Sequence, residues 1–561
     1  MDLFENLSDN QIEAVKTIDE DLEIIACAGA GKTGVVTRRI INILKSNPDI
    51  LPENIVAFTF TEKAAEELKS RVYKYGEAVL GNTKGFANMY IGTIHGFCLK
   101  MLQEHIVQFQ KFTVLDEIKT KLYIEKNYNF CGMPDLGLKI YTETNLFLSV
   151  MSTLNENWFE RDKWDKKTRT AVDKYKDTFY RKSYFDYSLI MQEMLNQLEN
   201  NKDFADNILS KIKYLTVDEY QDTNPIQERL IHFIKQGGCN LCIVGDDDQT
   251  IYQFRGSDPE NILTFRERYG INKYIVLGTD YRSSEAIVDI GKRVIVNNEK
   301  RLPKVMESGK LVKYEEGDTV YREFDGCNEE YEFIAKRIKA LHDSGVKYSE
   351  MAVLLRKRKH GPDIAKMFDE YEIPYIIEGV NELFSTAECQ AAKGIFDYLA
   401  GTIGMMELFQ LWKNIDYDLD EKEIADAIAT LNVIDVKSKK FYGEFVLQKL
   451  YHDFLRRISI VDESNSSEII LYNLGKFSQV INDFETIYYT TIPANKLSSF
   501  CNFLKYTADG YYPEGHIANT YIRPDAVNIM TVHQSKGLEY TAVFIPVSYT
   551  HLRAHETSLH L

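Results

Sequence analysis

Short runs of apolar and β-branched residues recur along the chain, and stretches with helical spacing separate several of them. The first group covers residues 23–28, 55–60, 90–94, 214–217 and 240–245. Runs of this length, apolar on both faces, are typical of strands in a parallel sheet that is covered by helices. The pattern therefore predicts an α/β core.

A second group of apolar runs covers residues 274–277, 351–355, 374–377, 527–532 and 542–547. Between the strands of the first group, residues 105–204 show long helical patterns with aromatic and lysine-rich faces. Another largely helical interval, residues 379–524, interrupts the second group. Two α/β cores that each carry a helical insertion fit this order.

The predicted domain order follows directly from these patterns. The first core comprises residues 1–104 and 205–278 around the insertion 105–204, and the second comprises residues 279–378 and 525–548 around the insertion 379–524. Residues 549–561 are expected to be a non-native tail, since three histidines and no recognisable element occupy the last stretch.

Composition narrows the class of protein without identifying it. The 561 residues are 44% hydrophobic and 27% charged, as in soluble globular proteins. No run of 18 apolar residues occurs and the start is acidic, which predicts a cytoplasmic protein without a membrane partner. The net charge of −17 does not exclude a nucleic-acid partner, because screening makes charge effects local.

The eight cysteines have no spacing that suggests disulfides or a metal centre. Cys239 and Cys242 form a CxxC pair, but they flank the start of an apolar run and no second pair completes a tetrahedral site. We expect reduced, buried thiols.

The run 23–28 leads into a glycine-rich loop, Ala28, Gly29, Ala30, Gly31, Lys32, Thr33, and then into a helical pattern over residues 35–44. Strand, glycine loop and helix are the setting of a phosphate-binding loop. The backbone amides and the helix N-terminus would hold phosphate, Lys32 would reach the terminal phosphates, and Thr33 would ligate Mg²⁺. A glycine turn before a surface helix is the alternative.

Two acids follow the predicted strand 214–217. Asp218 and Glu219 lie at its carboxyl end, where ligands bind in α/β proteins. Asp218 would hold the metal shell, and Glu219 would orient and deprotonate a water molecule. Alone these acids would suggest a solvated strand end, but with the glycine loop they predict a nucleotide hydrolase that uses ATP and Mg²⁺.

Eight sequence blocks, taken together, resemble the UvrD, Rep and PcrA DNA helicases of superfamily 1. They are LSDNQ (7–11), ACAGAGKT (26–33), TFTEKAAEEL (59–68), GTIHGF (92–97), VDEYQDTN (217–224), VGDDDQTIYQFRGS (244–257), DYRSS (280–284) and MTVHQSKGLEY (530–540). The resemblance implies an α/β fold of two RecA-like P-loop cores, with parallel sheets, flanking helices and a largely helical insertion in each.

The resemblance also implies nucleotide-binding roles. Gln11 would read the adenine edge, Tyr281 would stack on the base, and Gln249 would sense the γ-phosphate. Arg282 would enter from the second core as an arginine finger. The last block adds two further nucleotide-binding positions, Gly537 and Glu539.

For single-stranded DNA, the resemblance assigns base stacking to three aromatic residues, Phe60, Tyr252 and Phe254. Backbone or polar contacts would come from Lys63, Thr93, His95, Arg255 and His533. For any one of these residues ordinary packing is the alternative interpretation, and the matching blocks together favour DNA.

The sequence departs from the family pattern at three places. Gly34 stands where the family usually has an arginine that stacks on adenine, and Phe254 replaces the usual tryptophan. After residue 548 the family continues to a block with a second γ-phosphate arginine. We therefore expect this chain to bind ATP and single-stranded DNA but to hydrolyse ATP poorly.

These observations predict an ATP-dependent DNA helicase that moves 3′ to 5′ on single-stranded DNA and at single-strand/duplex junctions by closure of two cores. Its setting would be repair, recombination or replication restart, where repair proteins are candidate partners. Two alternatives stay open: the helicase subunit of a RecB-like or AddA-like helicase–nuclease complex, and a non-hydrolysing DNA-binding protein that is switched by nucleotide.

Overall fold

The computed structural model describes residues 2–309, 317–377, 383–415, 417–436, 445–460, 465–508, 511–512 and 525–546. These residues form two compact units. The first unit comprises Met1–Asp116, Tyr128–Leu138 and Asn145–Tyr321, and the second comprises Glu117–Asn127, Lys139–Thr144 and Arg322–Leu561.

The strands in chain order are β1 (Leu22–Ala26), β2 (Ile55–Thr59), β3 (Tyr90–Thr93), β4 (Thr113–Val114), β5 (Tyr184–Phe185), β6 (Tyr214–Val217), β7 (Asn240–Gly245), β8 (Tyr274–Leu277), β9 (Thr279–Asp280), β10 (Glu307–Ser308), β11 (Met351–Leu355), β12 (Tyr375–Ile377), β13 (Val527–Thr531) and β14 (Ala542–Phe544).

The helices in chain order are α1 (Asp9–Lys16), α2 (Lys32–Ser46), α3 (Glu62–Leu80), α4 (Ile94–His105), α5 (Glu117–Lys126), α6 (Thr144–Glu156), α7 (Lys166–Tyr180), α8 (Tyr187–Asn200), α9 (Lys202–Leu209), α10 (Pro225–Gln236), α11 (Glu260–Leu263), α12 (Phe265–Tyr269), α13 (Glu285–Ile295), α14 (Cys327–Asp343), α15 (Gly361–Glu370), α16 (Ala387–Leu399), α17 (Met405–Lys413), α18 (Glu421–Leu431), α19 (Leu447–Leu455), α20 (Asn465–Tyr488) and α21 (Pro493–Tyr506).

The first unit is built on a six-stranded parallel sheet with the order β3-β2-β6-β7-β1-β8. All five residues of β1 and all five of β2 are buried, as expected for strands that are covered on both faces. Because every strand runs in the same direction, all six carboxyl ends lie along one edge. The α/β class that the apolar runs predict is confirmed.

Buried polar side chains from the middle of α2 hydrogen-bond to the backbone of α1. The Arg39 guanidinium donates to the Ala14 carbonyl oxygen over 3.0 Å, and the Asn42 amide donates to the Val15 carbonyl oxygen over 3.0 Å. A capping box at Ser8 begins α1 and uses the Gln11 side chain. These contacts place Gln11 beside the glycine loop.

The second unit has its own parallel sheet, with the order β12-β13-β11-β14. Its core packs α14 and α15 on this sheet through side chains such as Ile334, Ile338 and Phe368. The helical part of the unit buries aromatic residues, among them Trp412, Phe477 and Phe500. Parallel strands and covering helices again agree with the predicted class.

The compact units do not coincide with the predicted domain order. Residues 279–321, which the sequence pattern assigns to the second core, belong to the first unit, and residues 117–127 and 139–144 of the first insertion belong to the second. Inside the first insertion, the two-residue strands β4 and β5 pair in parallel, which the helical pattern does not reveal.

All eight cysteines are free, and six of them, Cys239 and Cys242 included, are buried. Their redox state stays a prediction. Within the described ranges, no helix combines the length and the apolar character that a membrane crossing requires.

Candidate nucleotide and nucleic-acid site

Several predicted site residues of the first unit, and Asp246, to which sequence analysis gave no role, follow consecutive strands of one sheet. The glycine loop follows β1, Asp246 follows β7, Asp218 follows β6, Phe60 follows β2, and β3 ends at Thr93. The sheet therefore brings together, at one edge, residues that are up to about 220 positions apart in sequence.

The glycine loop adopts a conformation that favours glycine. Gly29 has φ +68° and Gly31 has φ +75°, both in the left-handed region. A Cβ on Gly29 would lie 1.9 Å from the Asp280 carboxylate oxygen Oδ1, so any side chain there would collide with it. The loop leads into the 15-residue helix α2, whose free N-terminal amides favour an anion.

Asp280 is a residue of this site to which sequence analysis gave no role. Its buried carboxylate accepts hydrogen bonds from the backbone amides of Arg282 and Ser283, over 2.7 and 3.1 Å. The Tyr281 amide also donates to the Gly29 carbonyl oxygen over 3.1 Å. The segment 280–283 is thereby fixed against the glycine loop.

Lys32 lies among acids at the start of α2. Its Nζ is 3.5 Å from Glu219 Oε1. Burial lowers the pKa of the ammonium, but the carboxylates of Glu219, Asp246 and Asp218 outweigh burial and raise it. Lys32 is therefore a firmly charged cation beside the loop, as a phosphate-binding lysine has to be.

Asp218 and Glu219 are adjacent acids, and the negative charge of one acts on the other. Burial, and then the Glu219 charge, raise the pKa of Asp218 to about 7. The Glu219 amide donates to Asp218 Oδ1 over 3.0 Å, and Glu219 has φ +50°, which turns its side chain toward Lys32. The two carboxylates repel each other, and a divalent cation bound beside them would reduce this repulsion.

Gln221 links the ends of β6 and β7, a role that the sequence did not reveal. Its buried amide donates to Glu219 Oε2 over 2.6 Å and accepts from the Asp246 amide over 3.0 Å. Asp246 Oδ2 in turn accepts from the Gln249 side chain over 2.6 Å. A continuous polar chain therefore runs from Lys32 to Gln249.

Lys304 is a further residue to which sequence analysis gave no role. Its fully buried ammonium contacts the carboxylates of Asp246, Asp247 and Asp248, the last over 3.0 Å. Arg301 adds a second contact to Asp248 over 2.7 Å. These three acids could by spacing hold a metal ion, but the Lys304 ammonium occupies the position between them.

A cavity of about 260 Å³ opens beside the glycine loop. It is lined by three residues to which the family resemblance draws attention, Gln11, Gly34 and Tyr281. The Gln11 amide donates to the Ala30 carbonyl oxygen over 3.0 Å, so Gln11 also holds the loop in place. Tyr281, which lines the cavity, is 44% exposed.

Arg282 lies in the first unit, although the resemblance led us to expect it from the second core. Its Cβ is 2.9 Å from the position of a Cβ on Gly29, and its side chain is exposed. The structure thus brings Arg282 to the same loop as Lys32. Its role as a charge-stabilising finger stays a prediction.

Two of the predicted base-stacking residues are in direct contact. The Phe60 and Tyr252 rings are stacked, with centroids 5.3 Å apart and an interplanar angle of 12°. Phe254 meets Tyr252 edge-on at 6.1 Å and is 66% exposed. A base would stack on the outer face of one of these rings, or it would insert between Phe60 and Tyr252.

The polar residues of the predicted DNA face extend along the neighbouring strand ends. Thr93 donates from Oγ1 to Glu62 over 2.7 Å, and Lys63 is exposed at the start of α3. His95 packs edge-on against Tyr187 at 5.3 Å, and burial lowers its pKa to about 4. His95 is therefore neutral at pH 7 and offers a hydrogen bond rather than charge. The Arg255 side chain lies outside the described part of the structure.

His533, Gly537 and Glu539 belong to the second unit, in the turn that follows β13. The Thr531 amide and hydroxyl both donate to the Gln534 side chain, over 2.9 and 2.8 Å, which closes this turn. Gly537 has φ +83°, a conformation that suits glycine. Residues 547–561, including the expected non-native tail, lie outside the described residues.

The fold and the glycine loop define the class of protein. A parallel sheet, a glycine loop before a helix, a charged Lys32 and an acid pair on a neighbouring strand are the parts of a P-loop nucleotide hydrolase.

Comparison with known proteins then gives the family. The UvrD/REP helicase N-terminal domain matches residues 7–270, and the UvrD-like helicase C-terminal domain matches residues 275–403 and 419–549. The ATP-dependent DNA helicase PcrA of Staphylococcus epidermidis is 29% identical over 97% of this chain and 78% of its own length. PcrA of Staphylococcus aureus is 29% identical over 97% of this chain and 77% of its own length.

The chain belongs to the UvrD/REP helicase family and is a DNA helicase and ATPase. The resemblance seen in the eight sequence blocks is thereby confirmed. The family boundary at residues 270–275 falls before Asp280 and Arg282, whereas the compact first unit includes both.

Substitution of Lys304 tests its role as the counter-ion of the three aspartates. Lys304→Met removes the ammonium and leaves the carboxylates uncompensated in a buried position, so we expect the free energy of unfolding to fall by about 3 to 5 kcal/mol. The measurement is urea-induced unfolding followed by fluorescence. Lys300→Met, on the same segment but exposed and paired with Glu260, is the matched control and should leave stability unchanged. Equal stability of the two variants would contradict the assignment.

Proposed function

We propose that this helicase moves 3′ to 5′ along single-stranded DNA, driven by hydrolysis of ATP, and that it serves DNA repair, recombination or replication restart. The observation that supports the proposal is the polar chain from Lys32 through Glu219, Gln221 and Asp246 to Gln249. This chain ends three residues before the aromatic group that would hold DNA. The direction and the pathway come from the family resemblance, and the cytoplasmic location stays a prediction.

The residues beside the loop fit magnesium-bound ATP. The left-handed Gly29 and Gly31 leave the backbone uncovered for phosphate, and the crowded Asp218 carboxyl is suited to a divalent cation. Thr33 and Asp218 would hold the ion, and Lys32 the terminal phosphates. Bound magnesium would supply charge neutralisation at the phosphates during phosphoryl transfer.

Glu219 is the residue that would accept a proton from the attacking water. One of its carboxylate oxygens lies near Lys32 and the other accepts from the Gln221 amide, so its orientation is fixed from both sides. A carboxylate held in this way can orient a water molecule and take its proton. Gln221 would act by positioning Glu219.

Gln249 and Tyr252 are three residues apart, and this short segment could couple the nucleotide site to the DNA-stacking group. Gln249 is tied to Asp246, and Tyr252 stacks on Phe60. A change of phosphate state sensed by Gln249 would therefore reach the stacking group through three residues. We propose that this segment, together with closure of the second core, converts hydrolysis into movement along DNA.

Glu219→Gln tests the hydrolytic part of the proposal. The amide keeps the shape and the hydrogen-bonding oxygen but cannot accept a proton, so ATP should still bind while single-strand-stimulated hydrolysis is abolished. The measurements are ATP binding at equilibrium and phosphate release with and without an oligonucleotide. Glu66→Gln, at an exposed position on α3, is the control and should behave as the parent. Unchanged stimulation of hydrolysis in Glu219→Gln would contradict the role of Glu219 as the base. Nucleotide binding without strand-stimulated hydrolysis in the parent and the variant alike would favour a protein that nucleotide merely switches.

Phe60→Ala tests the DNA face. Base stacking on an aromatic ring contributes about 1 to 3 kcal/mol, so single-stranded oligonucleotides should bind about 5- to 150-fold more weakly, with little dependence on base sequence. Fluorescence anisotropy with oligo(dT) and a mixed sequence measures the effect. Phe130→Ala, which removes an exposed aromatic ring from the same unit, is the control. Equal affinities for the two variants would place the DNA path elsewhere.

A further inference from the structure

The cavity beside the glycine loop has a wall that the family motifs do not supply. Gly34 and Arg38 both line it, together with Gln11 and Tyr281. Residues 34 and 38 are four apart on α2 and therefore lie on one face of the helix, one turn from each other. Arg38 thus reaches the cavity from the turn that follows Gly34.

Arg38 is held in place by Tyr75 of α3. Its Nη2 donates to the Tyr75 hydroxyl over 3.0 Å, and its guanidinium carbon lies 5.2 Å from the centroid of the Tyr75 ring. Both residues are partly buried. Arg71 also lines the cavity, but it is exposed and pairs with Glu67, so Arg38 is the better-fixed guanidinium.

One donor of Arg38 has no acceptor in the described part of the chain. The Nε atom is buried and makes no hydrogen bond there. A buried guanidinium donor without a partner is unfavourable, since it loses hydration without gaining an acceptor. Its place beside a cavity next to the phosphate-binding loop points to an acceptor that a bound ligand brings.

Gly34 leaves room for such a ligand. A Cβ built on Gly34 would meet nothing within 4 Å among the described residues. The family's usual arginine at this position would project into the same cavity, and Gly34 leaves that space unfilled. The space is open on the side from which Arg38 approaches.

We propose that Arg38 is the second base-binding residue of the nucleotide site. Its guanidinium, anchored by Tyr75, covers the face of the adenine that Gly34 leaves open, and its Nε–H is met by an acceptor of the nucleoside. Tyr281 and Gln11, which also line the cavity, contact the same base. This inference rests on the proposed nucleotide site and names the residue that replaces the missing arginine.

The test compares a ligand that has a base with one that lacks it. Arg38→Ala should weaken magnesium-dependent ATP binding about 3- to 30-fold, the range of a guanidinium–ring contact. Binding of inorganic tripolyphosphate, which offers the phosphates alone, should not change. Lys45→Ala, at an exposed position in the last turn of α2, is the control and should bind both ligands as the parent does.

A second variant keeps the test decisive if Arg38→Ala alters the protein more broadly. Gly34→Arg in the Arg38→Ala background puts a guanidinium back into the cavity from one turn earlier, where the structure has space. We expect it to recover most of the lost ATP affinity. Thermal unfolding of each variant shows whether the fold is intact.

Failure of this inference is distinguishable from failure of the nucleotide site itself. If Arg38→Ala weakens ATP and tripolyphosphate equally, or weakens neither, Arg38 does not bind the base and the proposal is overturned. Lys32→Ala should weaken both ligands, because Lys32 serves the phosphates. If Lys32→Ala weakens neither ligand, the phosphate-binding loop is wrongly assigned and the base site fails with it.

Discussion

The arrangement of the site depends on one constraint, that six parallel strands end along a single edge of one sheet. Every predicted site residue of the first unit follows or ends one of these strands, or lies in a segment bonded to the loop that follows β1. The glycine loop can approach that edge because Gly29 has no side chain where Asp280 stands. The ion pair of Lys32 with Glu219 then connects the first strand of the sheet to an acid two strands away.

Basic side chains lie among the acids at this edge of the sheet, so the net charge of the chain does not describe the charge at the site. The net charge of −17 belongs to the whole chain. At the site, Lys32 lies among Glu219, Asp246 and Asp218. Lys304 contacts the three consecutive aspartates, and Arg301 is a second partner of Asp248. Because screening confines these interactions to about 10 Å, the positive residues can act on phosphate regardless of acids elsewhere. Arg38, also on α2, adds positive charge at the cavity beside the glycine loop.

Much of the fold could be predicted because its signals are local. The apolar runs 214–217, 240–245 and 274–277 coincide with β6, β7 and β8, and the glycine loop stands between β1 and α2 as its sequence indicates. The missed residues act across long separations: Lys304 meets Asp246 over 58 positions, and Gln221 meets Asp246 over 25. Gly34 was recognisable as a departure, but its relation to Arg38 needed the helix and Tyr75 in place. Which compact unit carries Arg282 depends on packing, which no local pattern encodes.

In the proposed site, the loop after β1 and Asp218 after β6 would jointly hold one metal-bound triphosphate. Manganese can replace magnesium in such sites, and its electron paramagnetic resonance signal reports binding directly. With ATP present, we expect the parent protein to bind Mn²⁺, and Asp218→Asn to bind it about tenfold or more weakly, because a ligand oxygen loses its charge. Equal Mn²⁺ affinity of Asp218→Asn and the parent, in the presence of ATP, would contradict the account.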